Sequence, residues 1–264
     1  MDIQLIQHHL NPLSRKMFGE IQLHEEIDST NADALRQLRE GIVLATSQSA
    51  GRGRRGRQWL SPKNAGIYIS LVRLFEVNAD ALQALSLVTA LSLRQALAKL
   101  GINDLSLKWP NDILHHKKKL AGILLELQQS ADHCHVVFGV GINIALPEGA
   151  IEKIDRAVTD IAAICKEQDP TSSIPDSNRI IAELVNEMSA NLEKYLDQGF
   201  VPFQALWNQA DCYLDCDIVI ENSSSRTIGK SLGVDESGGL ILQSANGTKS
   251  VHGGEIFPSV HELP

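Results

Sequence analysis

A chain of 264 residues is long enough for one large domain or two unequal ones, and 43% hydrophobic with 21% charged residues is ordinary for a globular protein. A formal net charge of −8 argues against general nucleic-acid binding, which needs a basic surface, so no specific DNA binding is expected and local basic clusters gain weight. No apolar run reaches membrane-spanning length, residues 1–16 lack the apolar centre of a signal peptide, and four scattered cysteines without CxxC spacing read as reduced thiols of a cytoplasmic protein.

Residues 1–16, with Pro12 and the pair His8-His9, form an arm or short helix, too short for a helix-turn-helix domain. Ile21–Glu25 reads as a strand. Asp28-Ser29-Thr30-Asn31 supplies capping chemistry for a helix with Leu35 and Leu38 on its apolar side, stopped by Gly41. Residues 42–46 and 66–72 read as strands. Residues 79–100 make a long, nearly all-apolar helix, capped by Asn78 and ended by Gly101, and therefore buried. Residues 105–109, 120–126 and 135–144 read as three more strands, the first two joined by the polar turn Pro110-Asn111-Asp112 and the run His115-His116-Lys117-Lys118-Lys119. Residues 178–198 form an amphipathic helix with apolar residues at three- and four-residue spacing, ended by Gly199; Pro202 opens another that carries Trp207. From about residue 212 short β-like runs at 217–221, 227–234, 240–243 and 250–252 are separated by turn signals, as in a small β-barrel appended to a mixed α/β domain.

Between the strands at 42–46 and 66–72 lies Gly51-Arg-Gly-Arg-Arg-Gly-Arg57, followed by Gln58 and Trp59. Glycine lets backbone approach a ligand closely, and arginine offers a permanent cationic fork for carboxylate and phosphate oxygens. A solvated basic loop or an RGG-like nucleic-acid tail is the alternative; the flanking strands place the segment inside a folded domain. Lys108-Trp109-Pro110-Asn111-Asp112 puts a cation, an aromatic ring, an amide and a carboxylate on one turn. Turn chemistry accounts for Pro110 and Asn111 but requires neither Lys108 nor Trp109. Lys117 and Lys118 belong to a solvated run, whereas Lys119 borders a buried strand and can point into a site. Gly139-Val-Gly-Ile-Asn143 places two glycines inside a strand, where a ligand or another element comes close; it lacks the third glycine and the helix of a dinucleotide fingerprint. His133 and His135 flank Cys134 without an evident third ligand and read as surface residues.

Taken in order, Asp28-Ser-Thr-Asn31, the glycine/arginine loop, Lys108-Trp-Pro-Asn-Asp112, Lys119-Leu-Ala-Gly-Ile-Leu124 and Gly139-Val-Gly-Ile-Asn143 resemble the catalytic domain of bacterial biotin protein ligases, over roughly residues 17–264. The resemblance implies an α+β fold: a mixed, largely antiparallel sheet with helices, related to class II aminoacyl-tRNA synthetases, plus a small SH3-like C-terminal β-barrel. It implies three segments: an arm at 1–16, a catalytic domain at 17–211 and a C-terminal domain at 212–264. It implies two steps. Biotin attacks the α-phosphate of Mg·ATP to give biotinyl-5′-AMP and pyrophosphate, and a lysine of a biotin carboxyl carrier protein then takes the biotin. ATP and Mg2+ act as co-substrate and metal, with no tightly bound prosthetic group.

By matching motif, Ser29, Thr30, Asn31, Gln48 and Lys119 resemble biotin-contacting residues, and Arg52, Gly53 and Arg54 the part of the loop that covers biotin and phosphate. Lys108, Asp112 and Asn143 fall with Arg52 and Arg54 near the nucleotide, with Asp112 close to the intermediate or the magnesium. Lys119 and Arg54 are the catalytic candidates. The motifs begin at residue 28, which implies the monofunctional type without an N-terminal DNA-binding domain. Gly253-Gly254-Glu255-Ile256 is present, but no arginine follows it, which puts a basic residue's role with the nucleotide there in doubt. Whether the chain forms a homodimer stays open. A lipoate or octanoate ligase or transferase on a related fold, and a non-catalytic regulator that senses biotinyl-AMP, are the alternatives. Four like charges and three glycines cost backbone entropy to order, so the loop is expected to be mobile until an anion closes it, with Trp59 as its anchor.

Overall fold

Alternating small and large apolar residues in six of the segments above assemble one seven-stranded sheet. The computed structural model describes residues 1–77, 82–130, 133–222 and 226–258. The strands are β1 (Ile21–His24), β2 (Gly41–Ala45), β3 (Gly66–Phe75), β4 (Leu105–Lys108), β5 (Asp112–His115), β6 (Lys118–Gln129) and β7 (Cys134–Asn143), in the order β1-β2-β3-β7-β6-β5-β4. Only the edge pair β1–β2 is parallel, so the sheet is mixed and largely antiparallel, as expected. β5 was not expected. The segment read as a polar turn contributes a strand of its own, because Ile113 and Leu114 are buried between polar residues that find partners.

Helices α1 (Ile3–His9), α2 (Pro12–Phe18), α3 (Thr30–Gln37), α4 (Leu85–Lys99), α5 (Glu148–Ile151), α6 (Ile161–Gln168), α7 (Ser177–Gln198) and α8 (Val201–Ala210) surround the sheet. The arm at 1–16 resolves into α1 and α2, both packed on α7. Asp2 caps α1 and Asn11 caps α2, the backbone N–H of Asn11 donates to Asn186, and Ser14 Oγ donates to the Val185 carbonyl. α3 starts at its Ser29 cap but ends at Leu38, which takes the left-handed conformation at φ 49°; Gly41 already opens β2. α4 begins at Leu85, six residues later than the sequence suggested, without a side-chain cap; the expected cap Asn78 lies outside the described residues. Its burial on most faces follows from its place between the sheet and α7.

The period of two sorts β7 cleanly. Val136, Phe138, Val140 and Ile142 join the main core with α4 and α7, while Val137 packs under α3 with Ala34, Val43 and Val72. On that α3 side the next positions along the strands are Gly139 and Gly141 in β7, Ser70 in β3 and Gly122 in β6. Small residues there leave a hollow where larger side chains would have filled the layer.

Strands β8 (Asp217–Glu221), β9 (Arg226–Val234), β10 (Leu240–Ser244), β11 (Gly247–Val251) and β12 (Glu255–Pro258) form a second, wholly antiparallel sheet in the order β11-β10-β9-β8-β12. Among the hydrogen bonds that tie this part of the chain to the first unit at the site end are Cys212 N–H to the Leu107 carbonyl at 2.9 Å and the buried Trp109 indole to the Gly238 carbonyl at 3.2 Å. No helix among the described residues is long and apolar enough to cross a membrane.

Candidate active site

Two adjoining cavities lie on the α3 side of the sheet. The first, about 60 Å³, is bounded by Ser29, Thr30, Asn31, Gln48, the glycine face of β6 and β7, and Trp59. The second, about 340 Å³, is bounded by the Lys108–Asp112 turn, Asn143, the 153–156 segment and Glu255. Gly53, Arg54, Trp59, Asn111 and Lys119 border both. Thus the residues singled out from the sequence converge, and Lys119 stands at the junction.

The floor of the first cavity is a closed polar network. Ser29 caps α3 and turns Thr30 and Asn31 inward, where all three are buried. Thr30 N–H donates to Gln48 Oε1 at 2.8 Å, and Gln48 Nε2 donates to Ser61 Oγ at 2.7 Å. Asn31 Nδ2 donates to the Leu124 carbonyl at 3.1 Å and Glu126 Oε2 at 3.0 Å, while its Oδ1 accepts from Ser70 Oγ at 2.6 Å. Asn31 therefore holds the cavity wall in place and has little bonding capacity left. A Cβ on Gly139 would sit 2.1 Å from Asn31 Oδ1, and one on Gly141 would sit 2.5 Å from the Trp59 ring. The strand glycines do admit a close approach, and what approaches is Asn31 and Trp59.

Lys119 is held by a β-bulge between β5 and β6 that brings Nζ to 2.6 Å from Asp112 Oδ1, with its side chain only 13% exposed. Burial pushes its pKa below the ordinary lysine range, and the Asp112 carboxylate acts the other way. Nζ also lies 5.4 Å from the Trp59 ring centroid. Lys117 and Lys118 are exposed, as a solvated run should be. Asn143 spends its amide on the Lys119 and Thr159 carbonyls, so it fixes the bulge from behind. Lys108 lines the second cavity with its ammonium 5.7 Å from the Tyr213 ring.

In the glycine/arginine loop, expected to be mobile until an anion closes it, every arginine has a partner from outside the loop. Arg52 pairs with Glu126 Oε1 at 2.9 Å, and Arg54 donates to Asn111 Oδ1 at 3.1 Å and to the Gly254 carbonyl at 3.4 Å. Arg55 donates to the Glu221 carbonyl at 2.9 Å and lies 3.6 Å from Glu255, and Arg57 donates to Glu255 Oε2. Within the loop, Gly53 N–H reaches the Arg57 carbonyl and Trp59 N–H the Gly51 carbonyl. Burial holds the Arg54 pKa below the ordinary guanidinium value. Glu126 and Glu255, both outside the loop, supply the counter-charge that its own residues lack.

Glu255 is thus a site residue that was read only as part of a motif. Burial pushes its carboxyl up, but the Arg57 hydrogen bond and charge outweigh burial, and the net direction is downward. A carboxyl held low keeps its contact at neutral pH and loses it as the pH falls through that lowered value. Glu255→Gln is expected to speed amide exchange across residues 51–58 at neutral pH while the sheet strands keep their protection. Unchanged exchange in the variant would show that the loop does not depend on this latch. Lys153 and Arg156, cations bordering the second cavity, were also missed, because the 145–176 stretch carries little periodicity. His133 and His135, both half-buried, lie edge to face at 5.7 Å.

Comparison with known proteins bears on this geometry. Residues 23–143 match the biotin/lipoate A/B protein ligase family and residues 220–257 the biotin protein ligase C-terminal domain. The chain is 35% identical over 241 residues to the biotin–[acetyl-CoA-carboxylase] ligase of Paracoccus denitrificans, covering 87% of this chain and 97% of that one. It is 33% identical over 243 residues to the bifunctional ligase/repressor BirA of Escherichia coli K12, covering 90% of this chain and 74% of that one. A structure of the Aquifex aeolicus biotin protein ligase in complex with biotin and ATP superposes with a TM-score of 0.74 at 29% identity, over 91% of this chain and 98% of that one. The chain belongs to the biotin protein ligase family.

Proposed function

We infer that this protein is an ATP-dependent biotin protein ligase, which makes biotinyl-5′-AMP and passes the biotin to a lysine of a carrier domain. The observation that carries the reading is the shared wall of the two cavities. A carboxylate reaching out of the first and an α-phosphate lying in the second would meet at Lys119 and Arg54. Both are anions, and their approach is opposed by repulsion that two preplaced cations offset. The carboxylate oxygen forms a bond to the α-phosphorus as the bond to the pyrophosphate oxygen breaks, and pyrophosphate leaves with that electron pair. In the second step a neutral lysine amine attacks the carbonyl carbon of the mixed anhydride, loses its proton, and AMP departs. No side-chain nucleophile takes part.

Ser29, Thr30 and Gln48 line the end of the first cavity with polar groups suited to a neutral ring system, and Asn31 and Trp59, seated on the glycines of β6 and β7, shape its walls. Arg52 and Gly53 form its rim. In the second cavity Lys108, Asn143 and Asp112 flank the nucleotide. Asp112 fits a magnesium ion, which takes oxygen ligands from one or two carboxylates together with substrate phosphates, and such an ion would neutralise phosphate charge. The catalytic unit is assigned to residues 17–211 and the nucleotide-closing unit to 212–264, with the biotin carboxyl carrier protein of acetyl-CoA carboxylase as the acceptor class. The four unpaired thiols fit a reducing, cytoplasmic setting.

ATP–pyrophosphate exchange tests the reading directly. Exchange is expected to require biotin and to stay at background with lipoate or octanoate. Exchange that follows lipoate, or none with either acid, would replace it with one of the alternatives.

A further inference from the structure

A group of metal-ligating side chains lies apart from both cavities, at the tip of the β5–β6 hairpin. The two-residue turn His116-Lys117 has left-handed backbone at both positions, φ 47° and 65°, a geometry that usually selects Asn-Gly. Histidine tolerates it better than most residues. The turn sets the buried His115 ring against the exposed His116 ring at a centroid distance of 4.0 Å, although they are neighbours in sequence. Glu167, near the end of α6, comes up to both. Its oxygens lie 4.0 Å from His115 Nδ1 and 3.4 Å from His116 Nε2. One ligand atom from each of the three residues falls within 4.8 Å of the others.

We propose that His115, His116 and Glu167 hold a divalent transition-metal ion of the zinc class. A tetrahedral ion with ligand bonds of about 2.0–2.2 Å separates its ligand atoms by about 3.3–3.6 Å. The His116 Nε2–Glu167 Oε1 spacing already matches, and His115 Nδ1 lies 4.0 Å from the second carboxylate oxygen, Oε2, so the Glu167 carboxylate has to turn slightly to serve both rings. Nitrogen and carboxylate donors are the set that zinc takes, and the exposed side of the site leaves room for water as a fourth ligand. A simple surface ion pair between His116 and Glu167 would need neither the buried His115 nor the left-handed turn.

The ion would clamp the hairpin to α6. This hairpin carries Asp112 on one strand and Lys119 on the other, and Lys119 exchanges backbone hydrogen bonds with Ala157 and Thr159, just ahead of α6. The clamp therefore closes a ring of chain that includes the junction of the two cavities, and ring closure by a metal stabilises the folded state.

The test is a Zn2+ titration of the EDTA-stripped full-length chain by calorimetry and thermal melting, with His116→Asn, Glu167→Gln and His133→Ala compared. His116→Asn keeps a residue suited to the turn. One Zn2+ per chain is expected, with a raised melting temperature, weakened by more than about tenfold in His116→Asn and in Glu167→Gln and unchanged in His133→Ala. The absence of saturable binding in the unmodified chain would overturn the proposal. So would binding that survives both hairpin variants, or binding that His133→Ala removes.

Discussion

Replacing Lys119 with alanine is expected to slow biotin adenylation by more than about tenfold, a loss of over about 1.4 kcal/mol of transition-state stabilisation. Its ammonium borders both cavities and, among the described residues, pairs only with Asp112. Lys117→Ala is the control, because that side chain faces water, and equal losses in the two variants would refute the assignment. Alanine also leaves Asp112 without its partner, so a second readout separates catalysis from folding. Burial lowers the Lys119 pKa, and the charged form is the useful one. The alkaline limb of kcat/KM is therefore expected below the ordinary lysine range, and Lys119→Arg should move it upward. An unmoved limb would mean that another group titrates.

Gly139→Ala is expected to weaken biotin binding by more than about a hundredfold, on the order of 2.7 kcal/mol. The added methyl would sit 2.1 Å from Asn31 Oδ1 and 2.7 Å from both Cγ and Nδ2, so the Asn31 side chain must leave its position. Leaving it breaks bonds to Leu124, Glu126 and Ser70, and Ser70 is also 2.8 Å from Thr30. Glu126 in turn holds Arg52, so the disturbance reaches the rim. Overpacking of this kind also costs about 1–3 kcal/mol of stability. Gly149→Ala, where a Cβ would meet nothing within 4 Å, should bind biotin normally. Calorimetry with biotin checks both, and near-normal affinity in Gly139→Ala would show that the Asn31 network does not shape the pocket.

The sheet was legible wherever one face of a strand is buried, because alternation then carries the signal. β7 and β3 were read nearly to their ends. β5 was not, since its Asp112 and His115 look like turn residues until Lys119 and the Glu167 side of α6 supply partners. The end of α3 was misplaced for a related reason: Leu38 adopts a backbone that glycine usually provides, held by its N–H bond to the Ala34 carbonyl. Lys119 and the loop stand out because their residue types are odd for their local setting, whereas the Ser-Thr-Asn run and Gln48 entered as site residues through the resemblance to biotin protein ligases. Glu126 and Glu255 were not, because an acidic residue at a strand end looks like solvated surface. Their meaning lies in arginines far away in the chain.

Trp109, which borders the second cavity, and Leu107 in β4 complete their hydrogen bonds with Gly238 and Cys212, and the arginine loop completes its own with Gly254 and Glu255. During synthesis these groups emerge early and their partners emerge late. The Leu107 carbonyl, the Trp109 indole and Arg57 therefore find these partners only once residues 212–255 have been made, and the wall of the second cavity, which includes Glu255, is complete only when the two sheets have folded against each other.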